Sequence, residues 1–211
     1  MELFSYFRST AAYRVRIALN LKKIDYRLTS VNLLKNEQKS DEYHAINPMG
    51  LIPALRLDDG TVLTQSTAIL EWLEETFTDN PLLPADPLQR ARIRAITNSI
   101  ACDIHPLNNL RVLRYLTGEL GLSEDTKQTW YNHWIQLGFD ALEKQMVPGG
   151  YAAGDSISMA DVYLVPQVFN AFRFDMAMDA YPKIMAVYRR CNEHAAFIKA
   201  HPDNQEDKPV A

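Results

Sequence analysis

Ser9 and Thr10 put two hydroxyls where an apolar stretch, Leu3 to Phe7, gives way to a helical pattern with Ala11, Val15, Ala18 and Leu19 on one face. At such a turn a hydroxyl can cap the helix, and the free N–H groups of the first turn attract an anion. A thiolate is an anion of this kind, and its pKa falls in that setting. The turn holds no cysteine, so a thiolate working there must come from a bound ligand. Gln65-Ser66 opens a second helical pattern, whose apolar face is Ala68, Ile69, Trp72 and Leu73. Ser66 reads as its N-cap, and such a helix start also suits a carboxylate. Capping alone accounts for the pair equally well.

The elements that hold these residues follow from the pattern around them. The first helix is expected from Thr10 to Lys22 or Lys23. Tyr26, Leu28, Val31 and Leu33 suggest a second strand over 26–33, and Lys35 to His44 a loop or short helix. Asn47-Pro48 and Ile52-Pro53 precede an apolar strand. On the residues alone the Ile52–Pro53 bond is expected trans, the ordinary isomer; a cis bond would free the backbone of Ile52 for a ligand. Leu55 to Leu63 reads as a hairpin around Asp58-Asp59-Gly60. The order gives a small mixed α/β layer whose first two strands are parallel.

A proline-rich connector ends this part, and strand signals nearly vanish beyond it. The domains are therefore 1–80, a linker 81–87 and an all-helical 88–211. Leu88 to Leu116 is one long helical pattern, broken near Ile104-His105 by Pro106. Asp125 to Met146 is another, ended by Pro148-Gly149-Gly150. Ser158 and Asp161 stand three apart at the next helix start, a structural cap with Asp in place of the usual Glu. That helix should reach Phe174, and one or two more should fill 180–200. The polar tail after His201 is expected to fray.

The chain has 211 residues, 47% of them hydrophobic and 23% charged, the balance of an ordinary soluble globular protein. A net charge of −4 argues against general nucleic-acid binding, and no apolar run approaches a bilayer span. Cys102 and Cys191 form no CxxC or metal-type cluster. They read as buried structural thiols of a cytoplasmic protein.

A small α/β unit, a proline linker and a helical second half resemble the soluble glutathione transferases. Ser9-Thr10-Ala11-Ala12-Tyr13-Arg14-Val15-Arg16-Ile17-Ala18-Leu19 is similar to the zeta-class signature, with Ala11 at its usual cysteine and Tyr13 at its usual tryptophan. Asn47-Pro48, Ile52-Pro53, Gln65-Ser66, Ser158-Met159-Ala160-Asp161 and Leu164-Val165-Pro166-Gln167 fit in order. Asp103 to Arg111 resembles bacterial maleylacetoacetate isomerases and also maleylpyruvate isomerases. The resemblance implies a thioredoxin-like N-terminal domain, a helical glutathione-transferase C-terminal domain, glutathione as cofactor and a homodimer. It implies that Ser9 and Thr10 serve the glutathione sulfur and that Ile52, before a cis Pro53, pairs with the cysteinyl backbone. Gln65 and Ser66 would hold the γ-glutamyl carboxylate. Gln38, His105 and Asn109 match further positions lining the glutathione site.

The implied reaction is cis–trans isomerisation of maleylacetoacetate to fumarylacetoacetate, in tyrosine and phenylalanine breakdown. A thiolate adds reversibly to the double bond, the resulting single bond rotates, and the thiolate leaves. Such a dicarboxylate calls for arginines, whose planar forks bind carboxylates bidentately. Arg8, Arg111 and Arg173 match substrate-contacting positions of the maleylpyruvate enzymes. Arg14 and Arg16 read instead as helix packing and surface pairing. Maleylpyruvate isomerisation and glutathione transfer to small α-halo acids are the enzymatic alternatives. A non-catalytic binding module is the other class, and retention of Ser9 and Gln65-Ser66 speaks against it. A redox role would need a cysteine at the turn, where Ala11 and Ala12 stand.

Overall fold

The computed structural model describes residues 1–147 and 150–209. The chain divides into two compact units, Met1–Pro81 with the chain from Asn192 on, and Leu82–Cys191. The first unit therefore takes in the residues from Asn192 on, which the sequence assigned to the helical half with only the part after His201 expected to fray.

In the first unit, β1 (Glu2–Ser5), β2 (Arg27–Ser30), β3 (Ala54–Arg56) and β4 (Val62–Thr64) form one sheet in the order β2-β1-β3-β4. β1 and β2 are parallel, as the strand–helix–strand order requires, whereas β3 runs antiparallel to β1 and β4 antiparallel to β3. The strands are shorter than their apolar runs suggest. Val31 stays buried just beyond the end of β2, where its N–H still donates to the Ser5 carbonyl at 2.8 Å. Between β1 and β2 lies α1 (Thr10–Leu21), buried from Ala12 to Leu19 on every side. A helix buried all round shows little amphipathic stripe, which is why its pattern marked only one face. After β2 come a short 3₁₀ turn, Glu37–Lys39, and α2 (Asp41–Ile46). After β4 comes α3 (Ser66–Thr76). Lys22, just past α1, meets Glu74 of α3 at 2.7 Å with both side chains nearly dry.

The second unit is helical: α4 (Pro87–Asn98), α5 (Leu110–Gly118), α6 (Glu124–Gln145), α7 (Met159–Arg173) and α8 (Pro182–Cys191). The break expected at Pro106 is a widened π turn, Ser99–Ile104, followed by a 3₁₀ turn, His105–Asn108. Pro106 lacks an N–H, so the α ladder cannot pass through it. Pro148 and Gly149, expected to end α6, lie outside the described residues. At the start of α7 the Asp161 carboxylate takes the Ser158 N–H at 2.8 Å and hydroxyl at 2.9 Å through Oδ2. Its Oδ1 takes the Ala152 N–H at 2.8 Å, so Asp161 caps its own helix and ties it to the preceding loop. Cys191 is buried as expected, but Cys102 is exposed, on the irregular turn rather than a packed face.

The last helix, α9 (Ala195–Ala200), packs on α1 of the first unit. The tail after His201, expected to fray, is folded over its described residues. A 3₁₀ turn, Pro202–Asn204, follows, and the Gln205 amide donates to the carbonyls of Lys199 and His201. Polar side chains here fold back on the local backbone, a pairing that a polar composition conceals. Among the described residues, no helix is long and apolar enough to cross a membrane.

Candidate functional site

Strand register decides which candidates of the first unit meet. Phe4 of β1 lies opposite Ala54, and Ala54 opposite Thr64, while Ser5 lies beside Ser30. The end of β1 that leads to Ser9 is thus the end at which β2 leads toward Gln38, β3 begins after Pro53 and β4 leads into Gln65. Four segments widely separated in sequence open at one edge of the sheet. Such an edge, beyond the carboxyl ends of parallel strands, is where open α/β sheets place ligands.

At its centre is the turn Tyr6–Ser9, closed by the Ser9 N–H on the Tyr6 carbonyl at 2.9 Å. Ser9 is the N-cap of α1, and its Oγ accepts the Ala12 N–H at 3.2 Å. A hydroxyl accepts and donates at once, so capping leaves its hydrogen for an anion. The first turn of α1 carries no acidic side chain, so its N–H groups stay electropositive. Capping and anion binding are therefore compatible at Ser9. Thr10 is buried in that first turn, Ala11 half-buried, and Arg8 exposed with its guanidinium 5.0 Å over the Phe7 ring.

The Ile52–Pro53 peptide is cis, contrary to the expectation from residue frequencies alone. It is held from behind. Tyr43 Oη donates to the Leu51 carbonyl at 2.8 Å and Asn47 Nδ2 donates to the same oxygen at 2.6 Å. Burial pushes the Tyr43 phenol well above its ordinary range, keeping it a donor. Gly50 has φ +59°, and a Cβ there would come within 3.0 Å of the Gln38 carbonyl oxygen. Glycine therefore lets this loop touch the one carrying Gln38. The Gln38 side chain is buried to 6% exposure, yet its Oε1 has no hydrogen-bond partner among the described residues. An orphaned buried acceptor at a ligand edge is what a donor on a bound molecule would satisfy.

Ser66 is not the N-cap of α3, as its hydroxyl suggested. Gln65 holds that place, with φ +67° and no side-chain cap bond, and Ser66 is the first helical residue. Positive φ is costly for a non-glycine residue, and such strain concentrates at ligand sites. Ser66 Oγ instead accepts from Arg14 Nη1 at 3.5 Å, joining α1 to the start of α3. Arg14 and Arg16 do not pair at the surface: they are 1% and 0% exposed. Residue type alone hid this, because a buried guanidinium is seen only once its backbone acceptors are assembled.

The candidates of the second unit gather around α6. Asn108 Nδ2 donates to the Tyr131 carbonyl at 3.0 Å and Trp130 Nε1 to the Leu107 carbonyl at 2.9 Å, fixing the His105–Asn108 turn. Asn109 is the N-cap of α5, its Oδ1 accepting the Arg111 N–H at 3.1 Å. His105 is half-buried and Arg111 exposed. Gln128 of α6 donates to the Phe174 carbonyl, and the Tyr131 ring stacks on Phe174 at 3.6 Å. Arg173, one residue earlier, is exposed and donates to Asn170 Oδ1 at 3.0 Å. Its charge also acts on Tyr131, whose phenol burial drives upward. Tyr131 is thus the common anchor of Arg173 and of the 105–111 stretch. Its aromatic spacing in α6 gave no sign of that role.

Comparison with known proteins follows the same lines. Residues 8–76 match the family described as glutathione S-transferase, N-terminal domain, and residues 135–193 the C-terminal domain. The maleylacetoacetate isomerase of Pseudomonas aeruginosa is 46% identical over 213 residues, with both chains covered in full. A solved holo structure of a maleylpyruvate isomerase, described as a bacterial zeta-class glutathione transferase, superposes with a TM-score of 0.96. It is 44% identical and covers 99% of this chain and 100% of that one. The maleylacetoacetate isomerase of Methylobacterium extorquens AM1, solved with bound malonate and glutathione, also gives 0.96. It is 37% identical, with both chains covered in full.

Proposed function

Because the chain belongs to the glutathione S-transferase family, in the company of zeta-class enzymes, we propose that it is a glutathione-dependent cis–trans isomerase converting maleylacetoacetate to fumarylacetoacetate. The observation that carries the reading is the convergence of Ser9, Gln38, Ile52-Pro53 and Gln65-Ser66 at one sheet edge. That edge offers an electropositive helix start, an unused hydroxyl hydrogen and an orphaned buried acceptor, which together fit a thiol-bearing, carboxylate-bearing peptide. Bound glutathione supplies a thiolate that adds reversibly to the activated double bond.

The chain's own residues have distinct tasks. Ser9 donates its hydroxyl hydrogen toward the sulfur while the Ala12 N–H holds its oxygen, and Thr10 stands beside it. This arrangement favours the ionised thiol, so no protein base is needed to create the nucleophile. Ile52 offers its backbone before Pro53, Gln38 its Oε1, and Gln65 with Ser66 the N-terminus of α3 for a carboxylate. Arg8, Arg111 and Arg173, all exposed, serve the substrate carboxylates and the negative charge that develops on the conjugated oxygen. His105 and Asn109 contact the cofactor. Substrate is a small dicarboxylate, the working form is a homodimer, and the compartment is the cytoplasm, within tyrosine and phenylalanine breakdown. Ala11 leaves no protein thiol at the turn, so the cofactor provides the only nucleophile there.

Turnover of maleylacetoacetate and of maleylpyruvate, each with and without glutathione, tests the proposal. Faster turnover of maleylacetoacetate, abolished without glutathione, supports it. A preference for maleylpyruvate would move the chain to the second enzyme found among its relatives, and turnover without glutathione would refute the cofactor's role.

A further inference from the structure

We propose that the C-terminal segment is a positioning clamp for the Tyr6–Ser9 turn, acting through Asp207 together with Arg16 of α1. The inference rests on the reading that Ser9 faces the glutathione sulfur, and adds two residues that do not themselves touch it.

Phe7 sits at the middle of the turn, and both polar groups of its backbone are held by side chains. Its N–H donates to Asp207 Oδ2 at 2.9 Å, 200 residues away in sequence. Its carbonyl accepts from Arg16 Nη2 at 3.1 Å. Arg16 Nη1 reaches the Ser5 hydroxyl at 3.0 Å and the Tyr6 carbonyl at 3.4 Å. That same Tyr6 oxygen accepts the Ser9 N–H that closes the turn. Arg16 Nε donates to the Ala200 carbonyl at 3.1 Å, at the end of α9. One planar fork therefore holds the end of β1, the turn and the C-terminal helix. Asp207 makes a second link, since its Oδ2 also accepts the Ser30 hydroxyl at 3.2 Å, at the end of β2.

The surroundings make these contacts stiff. Arg16 is fully buried, and although burial lowers its pKa to about 10 it remains charged at neutral pH. α9 is held against α1 by buried Phe197 and Ala200 and by Asn20 Nδ2 donating to the Ala196 carbonyl at 3.1 Å. A buried cation with several carbonyl acceptors is satisfied only if those carbonyls stay in place, so the fork resists any shift of the turn. Thiolate stabilisation depends on the placement of Ser9 Oγ and the α1 N–H groups, and small displacements weaken it steeply.

The test is an ultraviolet titration of the thiolate in the enzyme–glutathione complex, run beside thermal unfolding. Asp207→Ala is expected to raise the pKa of bound glutathione by about 0.5–1 unit. Asp207→Asn should restore the wild-type value, because its amide oxygen still accepts the Phe7 N–H. Arg16→Lys should raise the pKa as well, since an ammonium cannot span the same acceptors, and it carries the readout if Asp207→Ala does not fold. An unmoved thiol pKa in these variants, whatever their unfolding temperature, overturns the clamp. A shift that Asp207→Asn fails to reverse overturns it too, because charge and not placement would then be responsible. Ser9→Ala belongs in the same series. If it moves the pKa while the clamp variants do not, only the clamp fails; if it does not, the reading of Ser9 fails and the clamp with it.

Discussion

Replacing Asp161 by alanine separates a structural carboxylate from a catalytic one. Its side chain is completely buried and accepts from the Ser158 N–H, the Ser158 hydroxyl and the Ala152 N–H. Losing a helix cap costs about 0.5–2 kcal/mol. Leaving the Ala152 N–H buried without a partner adds about 1–3 kcal/mol. Against this, the carboxylate itself is costly to bury, and desolvation pushes its pKa upward despite the donors around it. Alanine relieves that cost, so the net loss should be about 3 kcal/mol, toward the upper range for single substitutions. For a chain of this size that lowers the unfolding temperature by about 6–12 °C. Circular dichroism during heating measures it, with kcat read well below the transition. A shift of under about 2 °C would show that these bonds are worth far less than geometry implies. Unchanged unfolding with a large loss of kcat would move Asp161 into the catalytic machinery.

Further outcomes follow from other parts of the molecule. Glu74→Ala should cost about 3–5 kcal/mol by denaturant midpoint, because it leaves a dry Lys22 ammonium with the Phe77 and Asn80 carbonyls but without its counter-charge; a cost near that of a surface pair would refute the reasoning. Arg8→Ala and Arg173→Ala should reduce turnover of the dicarboxylate more than they weaken glutathione affinity, read by steady-state kinetics and calorimetry. Equal loss of both would count against their assignment to the substrate. Acidification should loosen the C-terminal segment. Burial lowers the His201 pKa, and the Lys208 bond lowers that of Asp203, so the unfolded segment binds more protons. Stability from His201 is present above the ordinary imidazole range and lost as pH falls through it; Asp203 adds a further loss below the ordinary carboxylate range. Amide exchange over residues 195–207 at about pH 7 and about pH 5, corrected for intrinsic rates, should show protection falling. Protection that holds or rises would be the wrong sign.

Much of the architecture could be read from patterns of residues. The parallel first pair, the Asp-Gly hairpin, the break at Pro106 and the Asp161 cap each follow from local chemistry that has few alternatives. What escaped depends on partners distant in sequence. Arg16 read as helix packing and surface pairing because that is what arginine usually does on a helix; its acceptors at Ser5, Tyr6, Phe7 and Ala200 exist only in the assembled fold. The polar tail looked frayed because composition shows no sign that Asp207 reaches Phe7. Ser66 looked like a cap, since the strained backbone of Gln65 has no signature in residue type. Gln38 could be named only through resemblance to a family, while Ile52 and Gln65 stood on the residues alone as one reading among others; strand register then supplied a physical reason for their meeting.

The central claim is that a borrowed thiolate, held at the Ser9 turn, catalyses isomerisation without being consumed. It is tested most directly by counting free glutathione while fumarylacetoacetate accumulates from a limiting amount of the cofactor. The account predicts many product molecules for each glutathione present, with the thiol recovered unchanged and the rate sharply reduced by Ser9→Ala. One thiol lost for each product formed, or product formed at full rate without glutathione, would contradict it.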